Sequence, residues 1–168
     1  MRKIITSAVL LLALTACQNE TKQQTDNSNI YNSKKSTAME NQTAKMGIEK
    51  SLGIYFDALN NSNAAQAVSQ YTSDGIFMPT GLPTATGTSE LTTAYENVFK
   101  AIELNVTFKL EEIVSLNDSV AFVRTQSNGT QLIHANGQKT EELNREFFMM
   151  RNENGIWKIS RYMFNQPK

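Results

Sequence analysis

Residues 104–114, LNVTFKLEEIV, decide the fold, because apolar and polar residues alternate along them. An alternation with a period of two gives a β-strand one apolar face. Glu111-Glu112 interrupts the alternation, and Ile113-Val114 continues it out of phase, which predicts a β-bulge at the two glutamates. The strand-rich half of the chain therefore begins just after Glu103.

Three turn signals divide the rest of the chain into further strands. They are Asn117-Asp118, Asn136-Gly137 and residues 152–155, Asn-Glu-Asn-Gly, all typical of hairpin turns. They predict an antiparallel meander of about four long strands that ends at Asn165.

Helical periodicity precedes this meander. Apolar residues recur at spacings of three and four in two stretches: Ile48, Leu52, Tyr55, Phe56 and Leu59, then Leu91, Ala94, Tyr95, Val98, Phe99 and Ile102. Residues 60–63 end the first helix and cap a short second one, Ala64 to Tyr71, whereas Thr88 or Ser89 caps the third. The predicted fold class is α+β, with three N-terminal helices packed on one face of a curved antiparallel sheet.

The segment between the second and third helices is predicted to be irregular. Ser73-Asp74-Gly75 is a turn signal, residues 76–78 form a short strand, and residues 79–87 hold two of the three prolines. This loop is either the mouth or lid of a pocket, or a plain connection between a strand and a helix.

The first 16 residues have the pattern of an export signal. Arg2 and Lys3 precede an apolar run from Ile4 to Leu14, which is too short to span a bilayer as a helix. The sequence of residues 14–17, Leu-Thr-Ala-Cys, resembles the bacterial lipoprotein signature. The resemblance implies cleavage before Cys17 and acylation of its sulfur, which anchors the mature chain to a lipid bilayer in the cell envelope. Because Gln18 follows the cysteine, the outer membrane facing the periplasm is predicted for a Gram-negative host.

Residues 17–45 are predicted to be the lipidated cysteine and a flexible polar tether. Gln, Asn, Thr, Ser and Lys dominate this segment, and it has no helical or strand period. The single folded domain is then residues 46–168.

The composition argues against several kinds of function. Lys and Arg together number 16, as do Asp and Glu, so no positive excess predicts binding to nucleic acid. One Cys and one His exclude a disulfide framework and a Cys/His zinc cluster. No dinucleotide-binding, Walker or nucleophile-elbow motif is present, and neither a metal nor a cofactor is expected. His134 precedes a turn, where a solvated role is expected.

Large apolar residues occupy both faces of the last strands. Alternation assigns Trp157, Ile159 and Met163 to one face of the final strand, and Tyr162 and Phe164 to the other. Residues 147–150, Phe-Phe-Met-Met, likewise place large apolar side chains on both faces of their strand. Since helices cover only one face of the sheet, we predict a homodimer through the other.

The order of these signals resembles the SnoaL-like domains, which belong to the superfamily of nuclear transport factor two and ketosteroid isomerase. The signposts lie at residues 59–63, 71–75, 87–88 and 155–159, and residues 161–165 are similar to the ending of the SgcJ/EcaC-type group. The resemblance covers Met46 to Asn165 and implies a cone-shaped fold that encloses a pocket between the helices and the concave sheet.

Only some of the catalytic residues of ketosteroid isomerases have a match in this sequence. Tyr55 matches their tyrosine donor in the first helix. Residues 77–79, Phe-Met-Pro, hold no carboxylate where their general base lies, and the strand of their second acid offers only Arg145 and Glu146. A steroid isomerase needs a base within reach of its substrate, so that activity is not expected.

Glu146 and Tyr55 are the candidate catalytic residues. Glu146 shares a strand face with Phe148 and Met150, which favours a position in an apolar cavity and a raised pKa. Arg124 is expected opposite Glu146, as a partner, as a clamp for an acidic ligand or as half of a purely structural pair. The expected pocket residues are Tyr55, Tyr71, Phe77, Met78, Tyr95, Phe99, Arg124, Phe148, Tyr162 and Phe164.

The favoured function is that of an envelope lipoprotein whose apolar pocket binds a small hydrophobic or amphiphilic molecule. One alternative is an enzyme of the isomerase, cyclase or hydrolase kind that uses Glu146, Tyr55 and Arg124. Another is a non-catalytic protein-interaction module whose pocket is filled by side chains.

Overall fold

The structure is a computed structural model that describes residues 24–167, with side chains from Asn41 onward. The predicted signal peptide, Cys17 and residues 18–23 of the predicted tether lie outside the described residues. The chain divides into two compact units, Met1–Ser36 and Thr37–Lys168. The second unit holds the sheet and the core, and the predicted domain start at Met46 falls inside it.

Helix α1 (Gln24–Asn60) is longer than the sequence predicts, so the coil expected for residues 18–45 is wrong from Gln24 on. Neither Pro nor Gly occurs between Gln18 and Met46, so no strong helix breaker stops α1 from extending past its packed end. The predicted apolar stripe from Ile48 to Leu59 is buried. None of the described helices is long and apolar enough to cross a membrane.

Short elements connect α1 to the main sheet: α2 (Ala64–Ser69), β1 (Tyr71–Met78), β2 (Ala85–Thr86) and α3 (Gly87–Ala101). Asn63 caps α2 as predicted, since its side chain accepts from the backbone N–H of Gln66 at 3.0 Å. Tyr71 begins β1 rather than ending a helix, and the predicted turn at residues 73–75 is instead a register shift within β1. The N-cap of α3 is Thr86, whose backbone N–H donates to the carboxylate of Glu90 at 2.7 Å, so capping by Thr88 or Ser89 is wrong.

The four long strands are β3 (Ile102–Asn117), β4 (Val120–Ile133), β5 (Gln138–Glu153) and β6 (Ile156–Asn165). The sheet has six strands in the order β2-β1-β6-β5-β4-β3. The meander β3 to β6 is antiparallel as predicted, and the bulge between Leu110 and Glu112 is confirmed. The sheet is nevertheless mixed, because β1 pairs in parallel with β6 after a long crossover that passes through α3.

A bulge in β6 changes the predicted faces of the last strand. Met150 pairs with Ile159 while Met149 pairs with Arg161, so Ser160 is an extra residue. Upstream of the bulge, Trp157 and Ile159 therefore share the buried face of Tyr162, and their predicted grouping with the exposed Met163 is wrong.

Asn60 attaches the end of α1 to the edge strand β3. Its side-chain amide donates to the carbonyl of Val106 at 2.8 Å and accepts from the N–H of Val106 at 2.8 Å. These two bonds satisfy backbone groups that an edge strand leaves unpaired. They hold α1 against the open edge of the sheet.

Candidate functional site

A cavity of about 250 Å³ lies between α1, α3 and the inner face of the sheet. Its apolar wall includes Leu59, Phe77, Val98, Val106, Tyr162 and Phe164. Its polar wall includes Ser127, Gln131, Glu142, Asn144, Glu146 and Gln166, and Thr80 lies at its rim beside Pro79. The pocket predicted to be apolar is therefore divided into an apolar and a polar part.

The polar wall arises because the inner faces of β4 and β5 change character along their length. On β4 the buried positions run from Ala121 and Val123 to Thr125 and Ser127. On β5 they run from Met150 and Phe148 to the polar residues Glu146, Asn144 and Glu142. The register pairs Thr125 with Glu146 and Ser127 with Asn144, so the polar ends coincide.

Thr125, Ser127, Glu142 and Asn144 were missed by the sequence reasoning. Their signal is a run of polar residues at every second position, in phase with an apolar strand face. Such a run normally indicates a solvated face, and only the pairing of β4 with β5 under the helices shows that these positions are buried.

Glu146 lies at the centre of the polar wall and is only 4% exposed. The hydroxyl of Thr125 donates to one of its carboxylate oxygens, and the hydroxyl of Ser127 donates to the other. Burial raises the pKa of Glu146 above its usual 4.5, a change that the two hydroxyl bonds oppose and nearby Glu142 reinforces. The carboxyl group is thus available to a ligand in the cavity, and its catalytic role remains a prediction.

Arg124 does not face the cavity, so its predicted place opposite Glu146 is wrong. It lies on the outer face of the sheet, where its Nε donates to Glu112 at 2.7 Å. Its register partner on β5 is Phe147, whereas Glu146 pairs with Thr125. A shift of one residue in a strand pair moves a side chain to the opposite face.

Tyr55 belongs to a buried tyrosine cluster beside the cavity. Its hydroxyl is 2.7 Å from that of Tyr95, which is also 2.7 Å from the hydroxyl of Tyr71. Burial raises the pKa of all three phenols, so they are neutral donors and acceptors to one another. None of the three lines the cavity, and their prediction as pocket residues is wrong because the core fills the space around them.

The other predicted pocket residues divide between cavity and core. Phe77, Tyr162 and Phe164 line the cavity, whereas Phe99 and Phe148 are core residues that do not reach it. Met78 alternates with Phe77 and so lies on the other face of β1, half-buried. His134 is exposed, with its Nδ1 3.0 Å from the carbonyl of Lys100.

The loop after β1 lies beside a second, larger space of about 620 Å³ along α3. Pro79 and Leu82 line both this groove and the cavity, and Leu82 is 60% exposed. The arrangement fits a mouth formed by the loop. The described residues include no group of three or more His, Cys, Asp and Glu side chains that could hold a metal ion.

Comparisons with known proteins give matches to two parts of the chain, the N-terminal segment and the folded domain. Residues 1–18 match the family model of the prokaryotic membrane lipoprotein lipid attachment site. This match makes the protein a lipoprotein anchored to a membrane by lipid. No curated protein matches the chain.

Solved structures match the folded domain. A ketosteroid isomerase-like protein from Erwinia carotovora atroseptica SCRI1043 is 31% identical, with a TM-score of 0.68, over 71% of this chain and 95% of that one. Hexachlorocyclohexane dehydrochlorinase LinA-type3 from Novosphingobium barchaimii LL02 is 11% identical, with a TM-score of 0.69, over 78% and 91%. A conserved protein from Planctomyces limnophilus DSM 3776 is 19% identical, with a TM-score of 0.64, over 74% and 98%.

The last two matches show a shared fold alone. The first match is close enough in sequence, and covers enough of both chains, to show that the two proteins belong to one family. The cone of helices on a curved sheet, the cavity inside it and this similarity lead to one conclusion: the chain is a lipoprotein whose folded domain belongs to the ketosteroid isomerase-like family, with the SnoaL-like, nuclear transport factor two-like fold.

Proposed function

We propose that the protein binds a small amphiphilic molecule in its cavity while acylated Cys17 holds it in the cell envelope. The observation that carries the proposal is the division of one cavity into an apolar wall and a polar wall. A ligand with the same division would satisfy both walls at once, because apolar surface favours burial and buried polar groups need partners.

The size of the cavity favours a small ligand. Its volume of about 250 Å³ lies below the roughly 300–1,000 Å³ of pockets that hold drug-sized molecules. The apolar part of the ligand would lie against Phe77, Tyr162 and Phe164, whose rings form a mutually stacked group with centroids 5.2, 5.9 and 6.2 Å apart. The mouth at Pro79 and Leu82 gives a route of entry.

An enzyme is the second candidate function, and the position of Glu146 favours it. Burial raises the pKa of this carboxyl group, and a carboxyl group with a raised pKa suits general acid–base catalysis. An isomerase, cyclase or hydrolase would use Glu146 directly, with Tyr55 acting only through the tyrosine cluster. A pure protein-interaction module is less well supported, because the cavity is not filled by side chains.

Two further features belong to this proposal. We place the protein in the cell envelope, at the outer membrane facing the periplasm in a Gram-negative host, on the basis of Gln18 after Cys17. We also propose a homodimer through the outer sheet face, where Phe122 and Phe147 stack at 5.4 Å and Phe147 is 38% exposed.

Native mass spectrometry of the full lipidated protein, released from phosphatidylcholine nanodiscs, tests the ligand-binding role. We expect a discrete extra mass that is lost in the cavity-filling variant Val98→Trp and kept in Glu96→Trp, which carries the same bulk on the exposed face of α3. The proposal fails if no small molecule is bound, or if Val98→Trp retains the mass that Glu96→Trp retains.

A further inference from the structure

Resting on the proposed ligand-binding role, we infer that the polar end of the ligand is a cationic amine, held by Glu142, Asn144 and Glu146. The inference comes from the kinds of hydrogen-bonding groups in the polar wall and from its charge.

The polar wall contains two buried carboxylates without a basic partner. Glu142 is 7% exposed and Glu146 is 4% exposed. No Lys, Arg or His is among the residues that line the cavity, and neither glutamate forms an ion pair within the described part of the chain. A buried carboxylate that no cation compensates is unfavourable.

Asn144 supplies a buried acceptor without a partner. Its side-chain Nδ2 donates to Glu142 at 2.7 Å. Because a carboxylate only accepts hydrogen bonds, this contact fixes the orientation of the amide and leaves its Oδ1 as the free end. Asn144 is 8% exposed, lines the cavity, and its Oδ1 accepts no hydrogen bond. A buried acceptor of this kind is costly until a donor reaches it.

The two carboxylates also retain acceptor capacity. Glu146 accepts from Thr125 and Ser127, and Glu142 accepts from Asn144 and, at 3.4 Å, from Gln166. Each carboxylate oxygen can accept more than one bond, so both groups can take a further donor from the cavity.

An ammonium group matches this set of acceptors. It offers three donors, accepts nothing and carries one positive charge. A carboxylate or phosphate ligand would meet two like charges, and an alcohol would leave the charge uncompensated. The aromatic rings of the apolar wall suit the rest of such a molecule and also attract a cation.

Calorimetry on the full lipidated protein in phosphatidylcholine nanodiscs, with empty nanodiscs as the blank, tests the inference. Three matched probes differ only at the polar end: 2-phenylethylamine, 2-phenylethanol and 3-phenylpropanoate. We expect the amine to bind at least about tenfold more tightly than the alcohol, as charge-assisted hydrogen bonds suggest, and the carboxylate to bind most weakly.

Two isosteric variants locate the effect. Glu142→Gln and Glu146→Gln should each weaken amine binding about tenfold and leave alcohol binding nearly unchanged. Glu141→Gln is the matched control, since Glu141 lies on the same strand but is exposed. An equal loss in Glu141→Gln would assign the effect to overall charge and overturn the inference.

The probe series separates the two levels of the argument. Alcohol binding as tight as amine binding would overturn the cationic ligand and leave the amphiphile-binding role standing. Failure of all three probes to bind would contradict both. The comparison of probes uses the unaltered protein, so it holds even where a variant fails to fold.

Discussion

Single residues determine the chemistry of the cavity, and Glu146 shows how. The same side chain on the outer face of β5 would be an ordinary solvated carboxylate, as at Glu141. On the inner face it is buried beside Glu142, and among the described residues only the hydroxyls of Thr125 and Ser127 donate to its carboxylate. The sequence predicted that Glu146 shares a strand face with Phe148 and Met150, whereas its donors lie on another strand.

Replacing Glu146 by Gln should flatten the dependence of stability on pH. In the folded state the pKa of Glu146 is raised, mainly by burial, while the unfolded chain keeps the usual value of 4.5. The stability that this group contributes is therefore greatest below the unfolded pKa and is lost as the pH rises through the folded pKa. Tyr162 and Glu142 also face this site, and no basic group lines it among the described residues.

Thermal unfolding measured between about pH 4 and pH 8, across the usual pKa of a carboxyl group, checks this prediction. As the pH rises, the melting temperature of Glu146→Gln should increase relative to the melting temperature of the original protein. Exposed Glu141→Gln should follow the original profile. Parallel curves for all three proteins would show that Glu146 has no raised pKa.

Elements are held in place by a few close contacts that no periodicity reveals. Helix α1 approaches β6 at Gly47, where an added Cβ would stand 2.6 Å from Cδ1 of Trp157. At its C-terminus α1 is attached to the edge of β3 by Asn60. Together these contacts set the position of α1, and with it one wall of the cavity.

Gly47→Ala should destabilise the protein by up to about 2 kcal/mol. Alanine favours a helix by roughly 1 kcal/mol over glycine, but overpacking against the indole costs about 1–3 kcal/mol. Gly53→Ala lies in the same helix with nothing within 4 Å of the new Cβ, so it should stabilise by up to about 1 kcal/mol. Chemical denaturation of both variants measures the difference, and equal effects would contradict the close approach to Trp157.

Asn60→Ala should cost about 1–3 kcal/mol, because two backbone groups of Val106 lose their partners. Asn61→Ala removes one exposed bond, from Nδ2 to the carbonyl of Asp57 at 2.7 Å, and should change stability by less than about 0.5 kcal/mol. Urea denaturation compares the two variants. Similar losses would show that Asn60 does not hold the edge of the sheet.

At the scale of the whole molecule, the outer sheet face decides whether the protein is monomeric. The sequence predicted that Trp157 and Ile159 share a face with Met163, but the bulge at Ser160 turns both inward. The remaining exposed apolar residues are fewer, with Phe147 38% and Met163 45% exposed. The proposed dimer therefore depends on these side chains.

Phe147→Glu should weaken the dimer at least about tenfold, as expected for an aromatic residue near the centre of an interface. Leu116→Glu is the control, since Leu116 is 56% exposed near the β3–β4 turn. Sedimentation equilibrium of the lipidated protein in a density-matched detergent measures the association. A monomeric original protein, or equal weakening by both variants, would exclude this interface.

The sequence by itself determined the lipid anchor, the three helices and the four long strands with their turns. Each of these depends on neighbours along the chain: the spacing of apolar residues, Asn-Gly turns and a cysteine after an apolar run. The α+β class follows from the same local rules.

Tertiary structure alone decided the rest. The parallel pairing of β1 with β6, the bulge at Ser160 and the outward position of Arg124 depend on which residues of two strands become register partners. The spacing of apolar residues along one strand does not determine its register with another strand. A shift of one residue in that register exchanges the inner and outer faces of the strand. The polar wall exists for the same reason: two polar half-strands, unremarkable when read separately, meet beneath helices that exclude water from Glu142, Asn144 and Glu146.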